Sequence, residues 1–177
     1  KKTAAQVAAE KPTSWFYSKA HGGGSLLDYA GYGATLGTWF QGGRRPLEVT
    51  AVVDEPEGLE VDEHAIIVAR YAHGLSKIET RWGTFTDPWT QQPQPRCGFV
   101  IAGTEGTIGS YDYDPFVTLQ TRKRPKPHRI AAPALRAPHA DPVQYLLWCL
   151  DRGRALEGPV SIPISRTGQE IVDAAVR

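Results

Sequence analysis

The chain has 177 residues, with 20 Lys and Arg against 19 Asp and Glu, for a formal net charge of +1. That balance speaks against a nucleic-acid or anionic-membrane surface, which needs clustered positive charge. No stretch approaches the ~18–20 continuous apolar residues of a membrane span. Hydrophobic residues make up 41% and charged residues 22%, ordinary for a soluble globular domain, and the length suits one domain. The 18 Gly and 14 Pro exceed the usual share and demand many turns. The chain begins Lys1-Lys2 and contains no Met, which predicts that residues precede Lys1. Its Ala-rich start lacks the apolar core of a signal peptide. Cys97 and Cys149 fit no metal or redox spacing, so two buried, reduced thiols are expected, as suits a cytoplasmic protein. His21, His64, His73, His128 and His139 are scattered, and no HxH or HExxH pair offers a metal site.

In chain order, Lys1 to Glu10 is ambiguous: Ala favours helix, but the segment is short and Lys11-Pro12 ends it. Trp15-Phe16-Tyr17 is an aromatic run. Gly22-Gly23-Gly24 reads as a loop opening a helix, since three glycines inside a regular element carry a large entropic cost. That helix is expected from Ser25 to Gln41, with Leu26, Leu27, Ala30, Ala34, Trp39 and Phe40 at helical spacing. Gly42-Gly43 stops it. Strands are expected at Leu47–Val53, His64–Tyr71 and Leu75–Thr84, with turns at 54–58 and at His73-Gly74. Residues 87–96 carry three prolines and read as loop. Further strands are expected at Cys97–Ala102, Thr107–Tyr111, Pro115–Thr121 and His128–Ala132. The basic, Pro-broken run 122–129 reads as a solvated loop, because no aromatics interleave to stack bases. Asp141 is an N-cap with Pro142 at the first helical position. The helix it opens has Val143, Leu146, Leu147 and Leu150 on one apolar face and ends at Gly153. A last helix is expected from Ser165 to Val176. A helix, a run of strands and two helices make an α+β fold with a mainly antiparallel open sheet and helices on one face.

Two short motifs invite a nucleotide or catalytic reading. Gly31-Tyr32-Gly33-Ala34-Thr35-Leu36-Gly37 fits GxGxxxG, with Asp54 or Glu55 near the offset of a ribose-binding acid. The context is wrong: no buried strand precedes the motif, and its glycines fall inside a helix already under way. Glu10-Lys11-Pro12 matches a motif that places a catalytic Lys in some dehydrogenases. It also reads simply as a charged segment ending at a Pro.

Residues 15–42 resemble the Gfo/Idh/MocA oxidoreductases, the glucose–fructose oxidoreductase and inositol dehydrogenase family. The residues that carry this are Trp15, then Gly22-Gly23-Gly24-Ser25-Leu26-Leu27-Asp28-Tyr29-Ala30-Gly31-Tyr32-Gly33, then Trp39-Phe40-Gln41-Gly42. They look like the start of that family's C-terminal domain. Gly103-Thr104-Glu105-Gly106-Thr107-Ile108 is similar to a family hairpin, and 141–176 resembles its closing helices. The resemblance implies an N-terminal Rossmann domain for NAD or NADP that is absent from this chain. It also implies that 1–177 is a single substrate-binding and oligomerisation domain, a homodimer or homotetramer through its sheet. The family's Glu-Lys-Pro lies far upstream of the triple glycine, so its Lys is not carried onto Lys11. Members usually run slightly beyond the last helix. Asp28 matches the family's motif Asp, and Tyr32 stands where many members have His. Positions i and i+4 share a helical face. A phenol can give or take the proton that accompanies hydride transfer if nearby cations lower its pKa, and the carboxylate can orient a substrate hydroxyl.

The expectation is therefore half of an NAD(P)-dependent oxidoreductase acting on a sugar or polyol, inactive alone. Asp28 and Tyr32 would be its catalytic residues, and Trp15, Gly22, Gly23 and Gly24 would bind substrate. No cofactor, nucleic acid, membrane or metal is expected on this chain. A free-standing binding or assembly domain of the same fold is the alternative. The sugar and the choice between NAD and NADP are not legible.

Overall fold

The computed structural model describes residues 2–82 and 96–177. The chain divides into two units, Lys1–Phe85 with Arg154–Arg177, and Thr86–Gly153. The Pro-rich loop expected at 87–96, apart from Arg96, and the last residues of the strand expected to reach Thr84 lie outside the described residues.

The first unit opens with helix α1 (Ala4–Glu10), which settles the ambiguous start as helix. A reciprocal cap makes so short a helix possible. Thr3 Oγ1 accepts from the Gln6 amide at 3.3 Å, and Gln6 Oε1 accepts from the Thr3 amide at 2.8 Å. Helix α2 (Ser25–Phe40) matches its expected span. It packs on an antiparallel sheet of β1 (Glu48–Asp54), β2 (His64–Arg70) and β3 (Leu75–Arg81), in the order β1-β2-β3. The inner face follows from period two. Ala51, Ile67 and Ile78 form one row across the sheet, and Val49 pairs with Ala69. Gly74, at φ +111°, closes the β2–β3 turn, where Tyr71 N donates to Gly74 O. The closing helix of this unit, numbered α4, runs Ile162–Ala175. It starts earlier than the expected Ser165, because Pro163 sits in the first turn, where a missing N–H costs nothing.

The core of this unit joins Leu26, Ala30 and Ala34 of α2 to Ala65, Ile67 and Ile78 of the sheet and to Ile171 and Val172 of α4. Small residues let α2 sit close. A Cβ at Gly33 would meet Ile78 Cγ2 at 2.5 Å, and one at Gly168 of α4 would meet the Thr35 backbone at 3.1 Å. By contrast, a Cβ at Gly31 would meet nothing within 4 Å. The outer sheet face mixes exposed Val52, Val68 and Leu75 with ion pairs. Glu79 accepts from Lys77, Arg81 and His64 there. The Lys77 ammonium, then the His64 ring, hold its carboxyl below the ordinary value against the opposing effect of burial.

The second unit is an antiparallel sheet, β4 (Gly98–Ala102), β5 (Gly106–Tyr111), β6 (Phe116–Thr121) and β7 (Arg124–Ala131), in that order. The α+β class and the antiparallel pairing are as expected, but the strands form two sheets. The basic run is not a loop: most of it is β7. As an edge strand, β7 accommodates Pro125 and Pro127 because their missing N–H groups need no partner on the open side. The register shifts between Leu119 and Thr121, and Gln120 Nε2 donates to Pro125 O at 2.7 Å beside that shift. Helix α3 (Pro142–Asp151) has the expected cap, with Asp141 Oδ1 accepting from the Gln144 amide at 2.9 Å. Its buried face is not the expected one. Tyr145 and Cys149 are buried, while Val143, Leu146, Leu147 and Leu150 are exposed. Tyr145 meets the His139 ring at a tilt and stacks with Trp148, and the Arg152 guanidinium covers Trp148, so aromatic contacts selected the other stripe. Cys149 is buried as expected, whereas Cys97 is exposed; neither is in a disulfide.

Gly31→Ala should stabilise the protein by ~0.5–1 kcal/mol, because open space surrounds a mid-helix glycine. Gly168→Val should destabilise it by ~1–3 kcal/mol through overpacking. Urea denaturation midpoints separate the two, and equal losses would refute the packing assignment. Glu79 contributes stability that is complete above the unfolded carboxylate pKa and fades as pH falls through its lowered folded value. Thermal melts of Glu79→Gln between about pH 5 and pH 3 should therefore fall less steeply with acid than those of the unaltered chain.

Candidate functional site

The triple glycine ends a pair of short 3₁₀ turns, Trp15–Tyr17 and Lys19–His21. Each glycine meets a different demand. Gly22 is exposed in the left-handed region, at φ +75°. Gly23 is buried, and a Cβ there would lie 2.3 Å from Phe16 O and 2.7 Å from Trp15 O. Gly24 has φ +106°, and a Cβ would lie 2.5 Å from Asp62 Oδ1. The close backbone approach at Gly23 and Gly24 is thus to the chain itself.

Gly24 holds the N-cap position of α2 and has no side chain to cap with. Asp62 does the work from the segment that leads into β2. The residue is 8% exposed. Asp62 Oδ2 accepts from Ser25 Oγ at 2.5 Å and from the Leu26 amide at 3.0 Å, while the Ser25 amide donates to Asp62 O at 3.1 Å. Since the Ser25 hydroxyl proton points at Asp62, the Thr80 hydroxyl, 3.1 Å away, donates to Ser25 Oγ. A carboxylate at a helix N-terminus is stabilised by the helix dipole and by charge-assisted hydrogen bonds.

One turn into α2, Asp28 is half-buried, and its Oδ2 accepts from the Trp82 indole Nε1–H at 3.2 Å. Trp82 is buried at the end of β3 and meets Phe16 edge-on, with centroids 4.7 Å apart. Phe16 in turn stacks on Trp15 at 4.4 Å. Tyr17 and Tyr29 also approach Trp82 edge-on. The structure thus brings Trp15 and Asp28 to the two ends of one aromatic ladder. Tyr32 follows Asp28 on the same helical face, 73% exposed, with no hydrogen bond from its hydroxyl to any described residue. At that exposure the Tyr32 ring is no part of the core.

Sequence reasoning missed Asp62, Ser25, Thr80 and Trp82. The alternation of Ile78 and Thr80 on β3, continued by Trp82 just beyond it, was a legible signal for the last two. Nothing local marks Asp62 among the acids of 54–63. Lys11 is the C-cap residue of α1, and its Nζ donates to Gly58 O at 2.6 Å. The GxGxxxG glycines do not suit a nucleotide: Gly33 and Gly37 are turned toward Ile78 and Ser76 within a continuous helix. Among the described residues no cluster of His, Cys, Asp or Glu could hold a metal, and no helix is long and apolar enough to cross a membrane.

Asp62→Ala should cost ~1–3 kcal/mol by stripping the Ser25 hydroxyl and the Leu26 amide of their acceptor. Gly24→Ala should also destabilise. Part of its cost is the clash with Asp62, so the double variant should lose less than the sum in chemical denaturation. Strict additivity would show that the two residues do not meet.

The fold recurs in solved oxidoreductases. An aldose–aldose oxidoreductase from Caulobacter crescentus, solved with glycerol, superposes with a TM-score of 0.67 at 18% identity, covering 93% of this chain and 49% of that one. A biliverdin reductase from Synechocystis, solved with biliverdin and NADP+, gives 0.66 at 16% identity, covering 94% and 51%. A UDP-N-acetylglucosamine 3-dehydrogenase from Acidithiobacillus ferrooxidans gives 0.64 at 12% identity, covering 85% and 46%. The chain therefore spans about half the length of these structures. No curated protein matches it. The family profile for the GFO/IDH/MocA C-terminal domain matches residues 3–109, which contain α1, α2, the whole first sheet, Asp28 and Tyr32. By that match and this fold, the chain belongs to the GFO/IDH/MocA family and carries its C-terminal domain.

Proposed function

We propose that this chain is the substrate-binding half of an NAD(P)-dependent oxidoreductase acting on a hydroxyl or carbonyl of a sugar or polyol. The observation that carries the reading is the pairing on α2: a carboxylate held by Trp82 and, one turn on, an exposed phenol. The kinds of enzyme that share the fold support it, two of them named for sugar substrates and one solved with NADP+. The cofactor would be held outside these residues, on a Rossmann domain of a longer protein, because the glycine motif of nucleotide type lies inside a continuous helix with Gly33 and Gly37 turned to packing.

Bound NAD or NADP supplies or accepts the hydride in this chemistry. Tyr32 gives or takes the proton at the reacting oxygen, its hydroxyl being open to solvent and to substrate. Asp28 spends Oδ2 on Trp82 and keeps Oδ1 to accept from a neighbouring substrate hydroxyl. Gly22 is the glycine whose backbone faces outward for substrate, while Gly23 and Gly24 set the loop. Trp15 adds an apolar surface at the rim. The proposed assembly is a homodimer or homotetramer through the outer face of the first sheet, where Val52 is 70% exposed. The proposed location is the cytoplasm, in line with two cysteines that form no disulfide. The exposed stripe of α3, Val143, Leu146, Leu147 and Leu150, favours the second reading, a non-catalytic assembly domain.

In the longer protein, Tyr32→Phe should lower kcat by ~10²–10⁴-fold, as for loss of a general acid or base, and Asp28→Asn should mainly raise KM. The isolated chain should leave NADH and NADPH fluorescence unchanged. Micromolar binding would sink the half-enzyme reading, and a longer gene with no nucleotide-binding domain would favour assembly. Sedimentation showing a clean monomer at high concentration would refute the sheet interface.

A further inference from the structure

The charges of this chain are segregated along it. Residues 122–129 hold five Lys and Arg and no acid, while residues 54–63 hold six acids and no Lys or Arg. The basic run forms the β6–β7 turn and most of β7, and the candidate site makes no use of it. As an edge strand β7 has an open side, but Pro125 and Pro127 remove N–H groups from it, so a partner strand cannot add there. What β7 offers is side-chain charge. The Arg122 Nε donates to Thr104 O at 2.8 Å, and the Arg129 guanidinium lies over the Phe116 ring at 4.1 Å. Lys123, Arg124 and Lys126 are exposed, and none makes an ion pair with a described residue. Arg124 and Lys126, two apart on a strand, share one face at a spacing of about 7 Å.

The acidic segment joins β1 to β2 and is well held. Glu63 N donates to Asp54 O at 3.0 Å across its neck, and Leu59 N donates to Pro56 O at 3.0 Å. Lys11 Nζ donates to Gly58 O at 2.6 Å, which places one cation at this loop. Glu55, Glu57 and Glu60 are exposed, and none makes an ion pair with a described residue.

We infer that β7 docks the 54–60 loop of a second copy of this chain, with Lys123, Arg124 and Lys126 meeting Glu55, Glu57 and Glu60. The balance of charge chooses the occupant. A protein built to hold a polyanion is positive as a whole, whereas this chain is +1 and carries the matching anionic patch itself. A net charge near zero also leaves no long-range repulsion between copies. Because each copy has one patch of each sign, two copies pair reciprocally. Single exposed ion pairs contribute little, so the contact needs several acting together and is weak and reversible. It is separate from the contact proposed on the outer face of the first sheet, and it does not rest on Asp28 or Tyr32.

Sedimentation of the 177-residue chain tests this contact. Association should be at least about tenfold tighter in ~0.01 M salt, where charges act over ~30 Å, than in ~1 M salt, where they act over ~3 Å. Arg124→Glu with Lys126→Glu, and separately Glu55→Lys with Glu57→Lys, should each abolish the salt-sensitive step. Unchanged thermal melts show that these surface variants keep the fold. Mixing the two variants should restore association, since one then carries two acidic patches and the other two basic ones. The chain with all four reversals keeps its net charge and should associate like the unaltered chain, which general attraction between oppositely charged proteins cannot mimic. An assembly state that ignores salt, or a fourfold variant that fails to associate, would overturn the ionic contact while leaving the sheet contact standing. A monomer in low salt would overturn both contacts; if that monomer binds heparin through Arg124 and Lys126, the strand serves a polyanion instead.

Discussion

The buried Asp62 carboxylate at the N-terminus of α2 is the contact on which the site depends. A helix start leaves amide hydrogens without partners, and a local Ser, Asp or Asn commonly supplies the acceptor. Here the N-cap is Gly24, and the acceptor comes from a segment 37 residues away in sequence from Ser25. The helix terminus is thus satisfied only when the β1–β2 connection has folded against it. Burying a carboxylate costs several kcal/mol unless charge-assisted hydrogen bonds and a favourable dipole offset it. The Ser25 hydroxyl and the Leu26 amide provide those bonds, and the Thr80 hydroxyl donates to Ser25 Oγ behind them. They also tie Asp62, α2 and β3 into one network.

That network sets where the candidate site residues sit. With its first turn clamped, α2 holds Asp28 at a fixed height above β3, opposite Trp82. The indole nitrogen then donates to one carboxylate oxygen and leaves the other open. Trp82 is itself fixed by Phe16 and Tyr17, which lie in the turns just before the glycines. The glycine loop, the helix start and the strand end therefore constrain one another.

The glycines divide by what surrounds them. Gly24 leaves room for the capping carboxylate, Gly23 leaves room for carbonyls, and Gly33 and Gly168 let helices and sheet approach. Gly31 answers no packing demand. A spacing that imitates a dinucleotide fingerprint thus arises from two unrelated needs: a helix that must lie close to Ile78, and its neighbour on the open side. The second unit makes a similar point with prolines. Pro125 and Pro127 look like loop residues, yet an edge strand has one row of amides with no ladder to join, and there proline is tolerated.

Much of this protein is local in origin. The breaks at Gly22–Gly24, Gly42-Gly43 and Gly74, the period-two runs of β2 and β3, and the Asp141-Pro142 helix start all follow from short-range backbone physics. The i, i+4 placement of Asp28 and Tyr32 is helical geometry alone, so it too could be read without a structure. What could not be read concerns partners distant in sequence. Asp62 is one acid among many until the fold brings α2 above it. Trp15 and Asp28 share a ladder only because Trp82 comes to lie between them. Helix α3 carries two plausible stripes, and the aromatic contacts of Tyr145 and Trp148 chose between them. Tertiary structure decided these because a hydrogen bond or a buried face needs a second surface, and residue order alone does not say which surface arrives.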